Sequence, residues 1–413
     1  MEPIVITGCG IVSAIGIGKG ETLDALRKGH TGIAPLRYLH TVHRDLPVGE
    51  VKLSDDELKQ RLGIATEPTT RTALLGMLAL DEALDEAGLK APGTGSVRRS
   101  IPGNPLVALV CGTTVGGMDK TEQYYRDYLT NDSRNDYILT HDCGATTTLM
   151  ARRFPGLFSL CTSVSTACSS AANAVITGAN LLRSGQADIA VVGGAECLTK
   201  YHLNGFRTLM ILDHEPCRPF DATRAGLNLG EGAAFLVLET VECALRRCAA
   251  LQAQLTGYGN ACDAYHQTAS SDEGKGAFLA MTKALAAACL QPSDIGYVNA
   301  HGTGTPNNDL SESRALQRLF GSTLPPVSST KGMTGHTTSA SGSIEAVISV
   351  MALQHQLVPV NYGWRQPMAG GILPAMHSVP PRPIEHVMCN ALGFGGNDSS
   401  LIFSQPPSIA YES

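Results

Sequence analysis

The chain of 413 residues has no long run of charge of either sign; charged residues make up only 16% and the formal net charge is -6. A nucleic-acid partner is therefore not expected, although an acidic carrier protein can still dock on a local basic patch. The twelve cysteines form no CxxC pair, and none joins histidines at the spacing of a zinc site. No metal is expected, and most of the thiols read as small buried hydrophobes in a reducing compartment. No apolar run approaches the length of a membrane span, and the opening MEPIVITGCG lacks a basic segment leading into a long apolar stretch. These absences predict no membrane association, no secretory signal and a cytoplasmic protein. The lack of a P-loop argues against an ATPase, and the lack of a 20–50-residue period excludes a solenoid. The best partial dinucleotide motif, TGCGIVSAIG, offers Gly8 and Gly10 but has Ser13 where a third glycine belongs. It reads as a tight turn out of a strand.

What is present is apolar and layered. Hydrophobic residues make up 43%, enough for a sizeable core, and the length fits two fused halves or one large layered domain. PIVIT, PLVALVCG, DIAVVGG, AAFLVLE, DIGYVNAHG, VMCNALGFGG and SSLIFS read as buried strands. TRTALLGMLALDEALDEAGL, SSAANAVITGANLLRSG, GAFLAMTKALAAACL and SGSIEAVISVMALQHQL have helical period and length. This alternation predicts an α/β protein, and the Ala- and Gly-rich helices predict close packing between layers. Residues 91–105 and 361–383 read as loops. A weak break near residue 250 divides the chain into 1–250 and 251–413, with no strong internal sequence repeat.

Four stretches can carry chemistry. In VSTACSSAANAV, Cys168 lies between a strand and a helix, where free N–H groups and the helix dipole favour a thiolate. Its small neighbours Ala167, Ser169, Ser170, Ala171 and Ala172 leave room for a sharp turn and an approaching substrate, the logic of a nucleophile elbow. A buried cysteine at a helix start is equally an ordinary core residue. NAHGTGTPNND carries His301 out of a strand into a loop where Thr303 and Thr305 can face one way and bind an amide-bearing ligand. SSTKGMTGHTTSASGSIEAV holds Lys331 and His336, then a helix with Glu345. A histidine near a helix N-terminus tends to stay neutral, able to donate to a carbonyl oxygen or to accept a proton. ALGFGGNDSSLIF sets Phe394 in a glycine loop whose backbone N–H groups are accessible. All four stretches sit at strand ends, where α/β sheets keep their sites.

Together these motifs resemble the elongating β-ketoacyl-acyl-carrier-protein synthases, Cys-His-His condensing enzymes of the thiolase-like superfamily. The likeness runs from IVITGCGIVSAIG to LGFGGNDSSLIF and includes STACSSA, GGAE, CRPFDATRAGLNLGEGAA, DAYHQT, NAHGTGTPNND and TKGMTGHTTSASGSIE. It implies a five-layered α/β/α/β/α sandwich of two similar halves, with the nucleophile in the first and both histidines in the second. Cys168 would accept the acyl group, and His301 and His336 would bind the malonyl thioester carbonyl and drive decarboxylation. Lys331 and Glu345 would order that site, and Asp309 would be structural. Thr303 and Thr305 would hold the pantetheine arm. Phe394 would gate the acyl pocket, its N–H joining that of Cys168 in an oxyanion hole, and Val115 would line that pocket or else be a plain core valine. No cofactor is implied beyond the phosphopantetheine of the acyl carrier protein, the partner that carries the substrates.

The family is usually homodimeric; a heterodimer with a chain-length-factor-like subunit, or a decarboxylase-only or non-catalytic subunit, is the alternative. His336 matches elongating rather than initiating enzymes, which typically have Asn there. Departures include Leu392, Asn397-Asp398, Leu227-Asn228 and the poorly matching segment Asp127–Leu160. They leave the acyl substrate open among fatty acid, polyene and polyketide assembly.

Overall fold

A computed structural model describes residues 3–64, 67–90, 103–131 and 136–407. Ten strands build its main sheet: β1 (Ile4–Ser13), β2 (Val107–Gly112), β3 (Leu160–Val164), β4 (Ile189–Glu196), β5 (Gly232–Thr240), β6 (Ala253–Cys262), β7 (Tyr297–Asn299), β8 (Val327–Ser328), β9 (His386–Gly393) and β10 (Asn397–Ser404). Their order is β8-β7-β9-β10-β6-β1-β5-β4-β2-β3, and a short strand, Gly16–Ile17, pairs with β1.

This order hides a duplication. Within β1–β5 the spatial sequence is first, fifth, fourth, second, third, and within β6–β10 it is the same. The pairing senses repeat too: two antiparallel contacts, then two parallel ones. The two sets meet where Ile4–Ile6 of β1 pair with Ala253–Leu255 of β6.

The helices complete the layers. The principal ones are α1 (Arg71–Glu86), α2 (Ser170–Arg183), α3 (Lys275–Ala288), α4 (Pro306–Phe320) and α5 (Ser341–His355). One core joins Ala172 and Val175 of α2, Ile344 and Val347 of α5, Val192 from the first set and Phe403 from the second, so α2 and α5 lie between the two sets of strands. A second core sets Leu74 and Leu80 of α1 against Leu109 and Phe235, and a third sets Met281 of α3 and Leu316 of α4 against Val298 and Ile402. Along β2, Ala108 and Val110 face the central core while Val107 and Leu109 face the outer one. A strand buried on both faces reads as a continuous apolar run, which is why it was visible in the sequence. The architecture is the expected five-layered sandwich.

Small residues make the layers fit. A Cβ on Gly342 of α5 would lie 2.8 Å from the backbone nitrogen of Ala172 on α2, so the two central helices touch backbone to backbone. Gly8 and Gly10 are not in a turn, contrary to the sequence expectation. They lie inside β1, where Cβ atoms would fall 2.3 and 2.0 Å from carbonyl oxygens of α1. Close packing, not chain reversal, demands them.

β6 escaped the sequence reading because Gly257 and Gly259 dilute its strand signal; both sit under the backbone of α3. The helices Met118–Thr130 and Cys143–Arg152, and α4, were not anticipated either. Residues 361–383 carry neither helix nor strand, as expected, whereas 91–102 of the other expected loop lie outside the described residues. Among the described residues, no helix is long and apolar enough to cross a membrane.

Candidate active site

Loops from both sets of strands converge on one cavity of about 360 Å³, whose walls include Cys168, His301, His336, Thr303, Thr305 and Phe394. Each loop lies at a strand or helix end, and each is fixed by identifiable hydrogen bonds.

Cys168 follows β3 through an elbow. Ala167 has φ +52°, a left-handed conformation that costs a non-glycine residue about 1 kcal/mol or more. The serines beside it hold this turn. Ser170 Oγ donates to Ala167 O at 2.6 Å and accepts from Thr166 N at 2.9 Å, and Ser169 Oγ donates to Thr166 O at 2.8 Å. Asn173 and Asn260 donate to Asn397 Oδ1 at 2.7 and 2.9 Å, and Ser169 Oγ lies 2.9 Å from the same oxygen, joining the elbow to the hairpin that carries Phe394. The stretch is thus rich in serine for bracing as well as for space.

Cys168 is 4% exposed. Burial pushes the Cys168 thiol up to about 11, against the opposing pull of Lys331 and of the Phe394 N–H that hydrogen-bonds the sulfur. The thiolate expected from a helix start is therefore not the resting form, because desolvation outweighs the nearby dipoles. The same Phe394 N–H is in position to serve as an oxyanion donor.

His301 leaves β7 on a carboxylate. Glu312 of α4 accepts the N–H groups of His301 at 2.9 Å and Gly302 at 2.8 Å. Lys331 Nζ donates to His301 O at 2.5 Å and lies 3.3 Å from His301 Nδ1. An ammonium has only hydrogens to offer. It makes Nδ1 the acceptor and leaves the imidazole proton on Nε2. Lys331 in turn pairs with Glu345, whose carboxyl burial raises to about 7 against the pull of Lys331. His336 lies edge-on to His301, with ring centroids 5.2 Å apart. Its backbone is clamped by the segment Asn228–Gly230: its N–H donates to Asn228 O at 2.7 Å, and its O accepts from Gly230 N at 2.9 Å. Burial first, then Lys331, then a neighbouring histidine (His336 for His301, His202 for His336) push both imidazoles well below the usual histidine range. Both rings are neutral at neutral pH.

The hydroxyls of Thr303 and Thr305 are 2.8 Å apart on the cavity wall. Asp309 is fully buried beneath them and accepts Gly304 N at 3.1 Å and Phe220 N at 2.8 Å. The Phe394 ring stacks on Phe206, with centroids 5.8 Å apart. Val115 is not brought to this cavity. It is 2% exposed in the outer core of the first half, and its N–H donates to Glu196 at 3.0 Å.

Several contributors were missed in the sequence. Glu196 accepts hydrogen bonds from Thr113, Thr114, Val115 and Ser339, tying the loop after β2 to the loop that follows His336. Its only signal was the GGAE that ends a strand. Glu312 lay unremarked within α4. Asn228, singled out as a departure, accepts Cys217 N at 2.6 Å and donates to Asp213 O at 3.0 Å, which stiffens the segment that clamps His336. Leu227 and Leu392, two more of the departures, both line the cavity.

Comparison with known proteins agrees with this geometry. The family description "Beta-ketoacyl synthase, N-terminal domain" matches residues 1–244, and "Beta-ketoacyl synthase, C-terminal domain" matches 252–364. The 3-oxoacyl-[acyl-carrier-protein] synthase 2 of Vibrio harveyi is 32% identical, over 97% of this chain and 98% of that protein. Nodulation protein E of Rhizobium meliloti (strain 1021) is also 32% identical, over 97% and 99%. Among solved structures, the ishigamide ketosynthase/chain length factor superposes with a TM-score of 0.87 at 29% identity, covering 98% of this chain and 100% of that one. The ketosynthase ApeO, in complex with its chain length factor ApeC from Xenorhabdus doucetiae, gives 0.80 at 30% identity, covering 98% of each chain. The chain belongs to the β-ketoacyl synthase family of acyl-transferring condensing enzymes.

Proposed function

We propose that the protein is an elongating 3-oxoacyl-[acyl-carrier-protein] synthase that joins an acyl group held on Cys168 to a malonyl unit with loss of carbon dioxide. In the first half-reaction the Cys168 sulfur attacks a carrier thioester, and the thiol proton leaves with the released carrier thiol. The N–H groups of Phe394 and Cys168 stabilise the tetrahedral oxyanion. In the second, malonyl thioester enters, and its carboxylate departs as carbon dioxide. The electron pair left behind moves onto the thioester oxygen, where neutral His301 and His336 donate to it. The resulting carbanion carbon attacks the acyl-Cys168 carbonyl, and the sulfur leaves and regains a proton. Thr303 and Thr305 hold the pantetheine arm, Lys331 and Glu345 order the histidines, and Asp309 supports the threonine loop.

The observation that carries this reading is the Lys331 ammonium on His301 Nδ1, since it reserves a proton on Nε2 for an oxyanion. An acylated carrier panel with malonyl carrier as extender tests it: a 3-oxoacyl carrier two carbons longer is expected. Free acid without condensation would instead mark a thioesterase. Carbon dioxide release without acylated Cys168 would mark a decarboxylase-only partner subunit. The same panel distinguishes fatty acid, polyene and polyketide elongation by the acyl group preferred.

We further propose two halves, 1–250 and 251–413, in keeping with the repeated strand order. All twelve cysteines are free, which fits a reducing cytoplasm. A homodimer would cover the edge strand β3, where Leu160 is 39% exposed, and the helix Met118–Thr130, in which no residue is buried. The chain length factors named with the two ketosynthase structures make a heterodimer the second reading. Light scattering of the protein alone separates the two.

A further inference from the structure

The hairpin that carries Phe394 is gripped by two acids. β9 and β10 pair Leu392 with Asp398 and Gly393 with Asn397, leaving Phe394–Gly396 as the turn. The Asp398 carboxyl accepts the backbone N–H of Gly393, at the start of the turn. Asp263, just beyond β6, donates its own N–H to Gly396 O at 2.7 Å, at the end of the turn. Both side chains are buried, 4% and 6% exposed. They converge over Gly276 at the start of α3, where a Cβ would lie 2.2 Å from Asp398 Oδ2 and 2.8 Å from Asp263 Cβ. Only a glycine leaves room for both.

Donors are shared unequally between them. The Asp263 carboxyl accepts Ser271 N at 2.6 Å, Ser271 Oγ at 2.7 Å and Gly276 N at 3.0 Å. Asp398 has the Gly393 N–H. The charged groups that act on Asp398 are Asp263, from the β6–α3 connection, and Glu312, from α4; both are acids. Among the described residues no lysine, arginine or histidine offsets them there. Burial first, then these like charges, raise Asp398 to about 8.

We propose that Asp398 is a proton-dependent positioning residue: as a neutral acid it shares the space over Gly276 with Asp263 and keeps the Phe394 N–H on Cys168, and loss of that proton releases the turn. The neutral form places one charge in the pocket and retains a carbonyl oxygen for Gly393. Ionisation puts a second unscreened carboxylate beside the first, and the hairpin end is the part free to move away. The oxyanion donor then leaves Cys168 and the Phe394 ring leaves Phe206. Asp398 touches no reacting atom; it acts through the turn.

Hydrogen exchange of the segment spanning Gly393–Gly396, corrected for the intrinsic pH dependence of exchange, reads the turn directly. In the wild type its protection is expected to fall as pH rises from 6 to 8, by up to about tenfold per unit, and to level off above the titration, because the released carboxyl gives up its proton well below the pH at which the gripped one does. In Asp398→Asn it is expected to stay flat over the same range. Asp263→Asn removes the repulsion but not the burial and is expected to end the fall at a lower pH, so the test survives if one variant does not fold. The ratio of the wild-type rate of Cys168 acylation to that of Asp398→Asn, in which the ionisation of the thiol common to both cancels, should decline as pH rises from 6.5 to 8. A flat wild-type exchange profile, or the same fall in a folded Asp398→Asn protein, would overturn the proposal. The acylation readout rests on Cys168 as acyl acceptor. Exchange behaving as expected with no acylation in any protein would refute that reading and leave this one standing.

Discussion

Lys331 Nζ lies 3.3 Å from His301 Nδ1 and also pairs with Glu345, so one buried ammonium joins the tautomer of His301 to a carboxyl on the central helix α5. The three groups come from three segments of the second half, and none is adjacent to another in sequence.

Lys331→Met is therefore expected to cost catalysis more than fold. Without the ammonium, His301 can carry its proton on either nitrogen, and carbon dioxide release from malonyl carrier should fall by roughly 10²–10³. Breaking a buried pair costs up to about 3–5 kcal/mol when the partner keeps its charge. Glu345 already lies near 7, so it takes up a proton and the urea midpoint should drop by less than that figure implies. Adding Glu345→Leu should restore the midpoint without restoring decarboxylation. Recovery of both would make the pair structural only.

The high titration of Cys168 predicts slow alkylation at neutral pH. With the thiol near 11, only about a thousandth is ionised at pH 8, and the rate should climb about tenfold per pH unit up to about pH 10. Iodoacetamide labelling of Cys168, followed by peptide mass spectrometry, measures this. A plateau beginning below pH 8 would mean a resting thiolate.

The contact between the central helices predicts a stability effect remote from the chemistry. Gly342→Ala places a methyl group 2.8 Å from Ala172 N, a backbone atom that cannot swing aside. Separating α2 from α5 should cost roughly 1–3 kcal/mol. Because α2 begins beside Cys168 and α5 carries Glu345, the rate should also fall. An unchanged urea midpoint would show that the layers tolerate the extra atom.

Legibility of the sequence followed burial and locality. Strands such as Ile189–Glu196, buried on both faces, stood out as apolar runs, and α2 and α5 by their period. Cys168, His301 and His336 were legible because each sits in a Gly-, Ser- or Thr-rich break at a strand end. The duplication was not, since strand order is a property of pairing and leaves no period in the chain. Glu196 and Glu312 were hidden because a carboxylate that collects backbone N–H groups from a distant loop has no local pattern. The thiolate expectation failed because it weighed a helix dipole without desolvation, which only burial in the fold sets. Gly8 and Gly10 were misread for the same reason: the helix that crosses them lies some seventy residues further along the chain.

The central claim is a division of labour: sulfur and backbone donors transfer the acyl group, and two neutral histidines hold the enolate. His301→Ala tests it with two readouts on one sample, intact mass for acyl-Cys168 and labelled carbon dioxide from malonyl carrier. The account predicts that the acyl adduct still forms, while carbon dioxide release drops by roughly 10²-fold or more. Wild-type carbon dioxide release from the His301→Ala protein would contradict it.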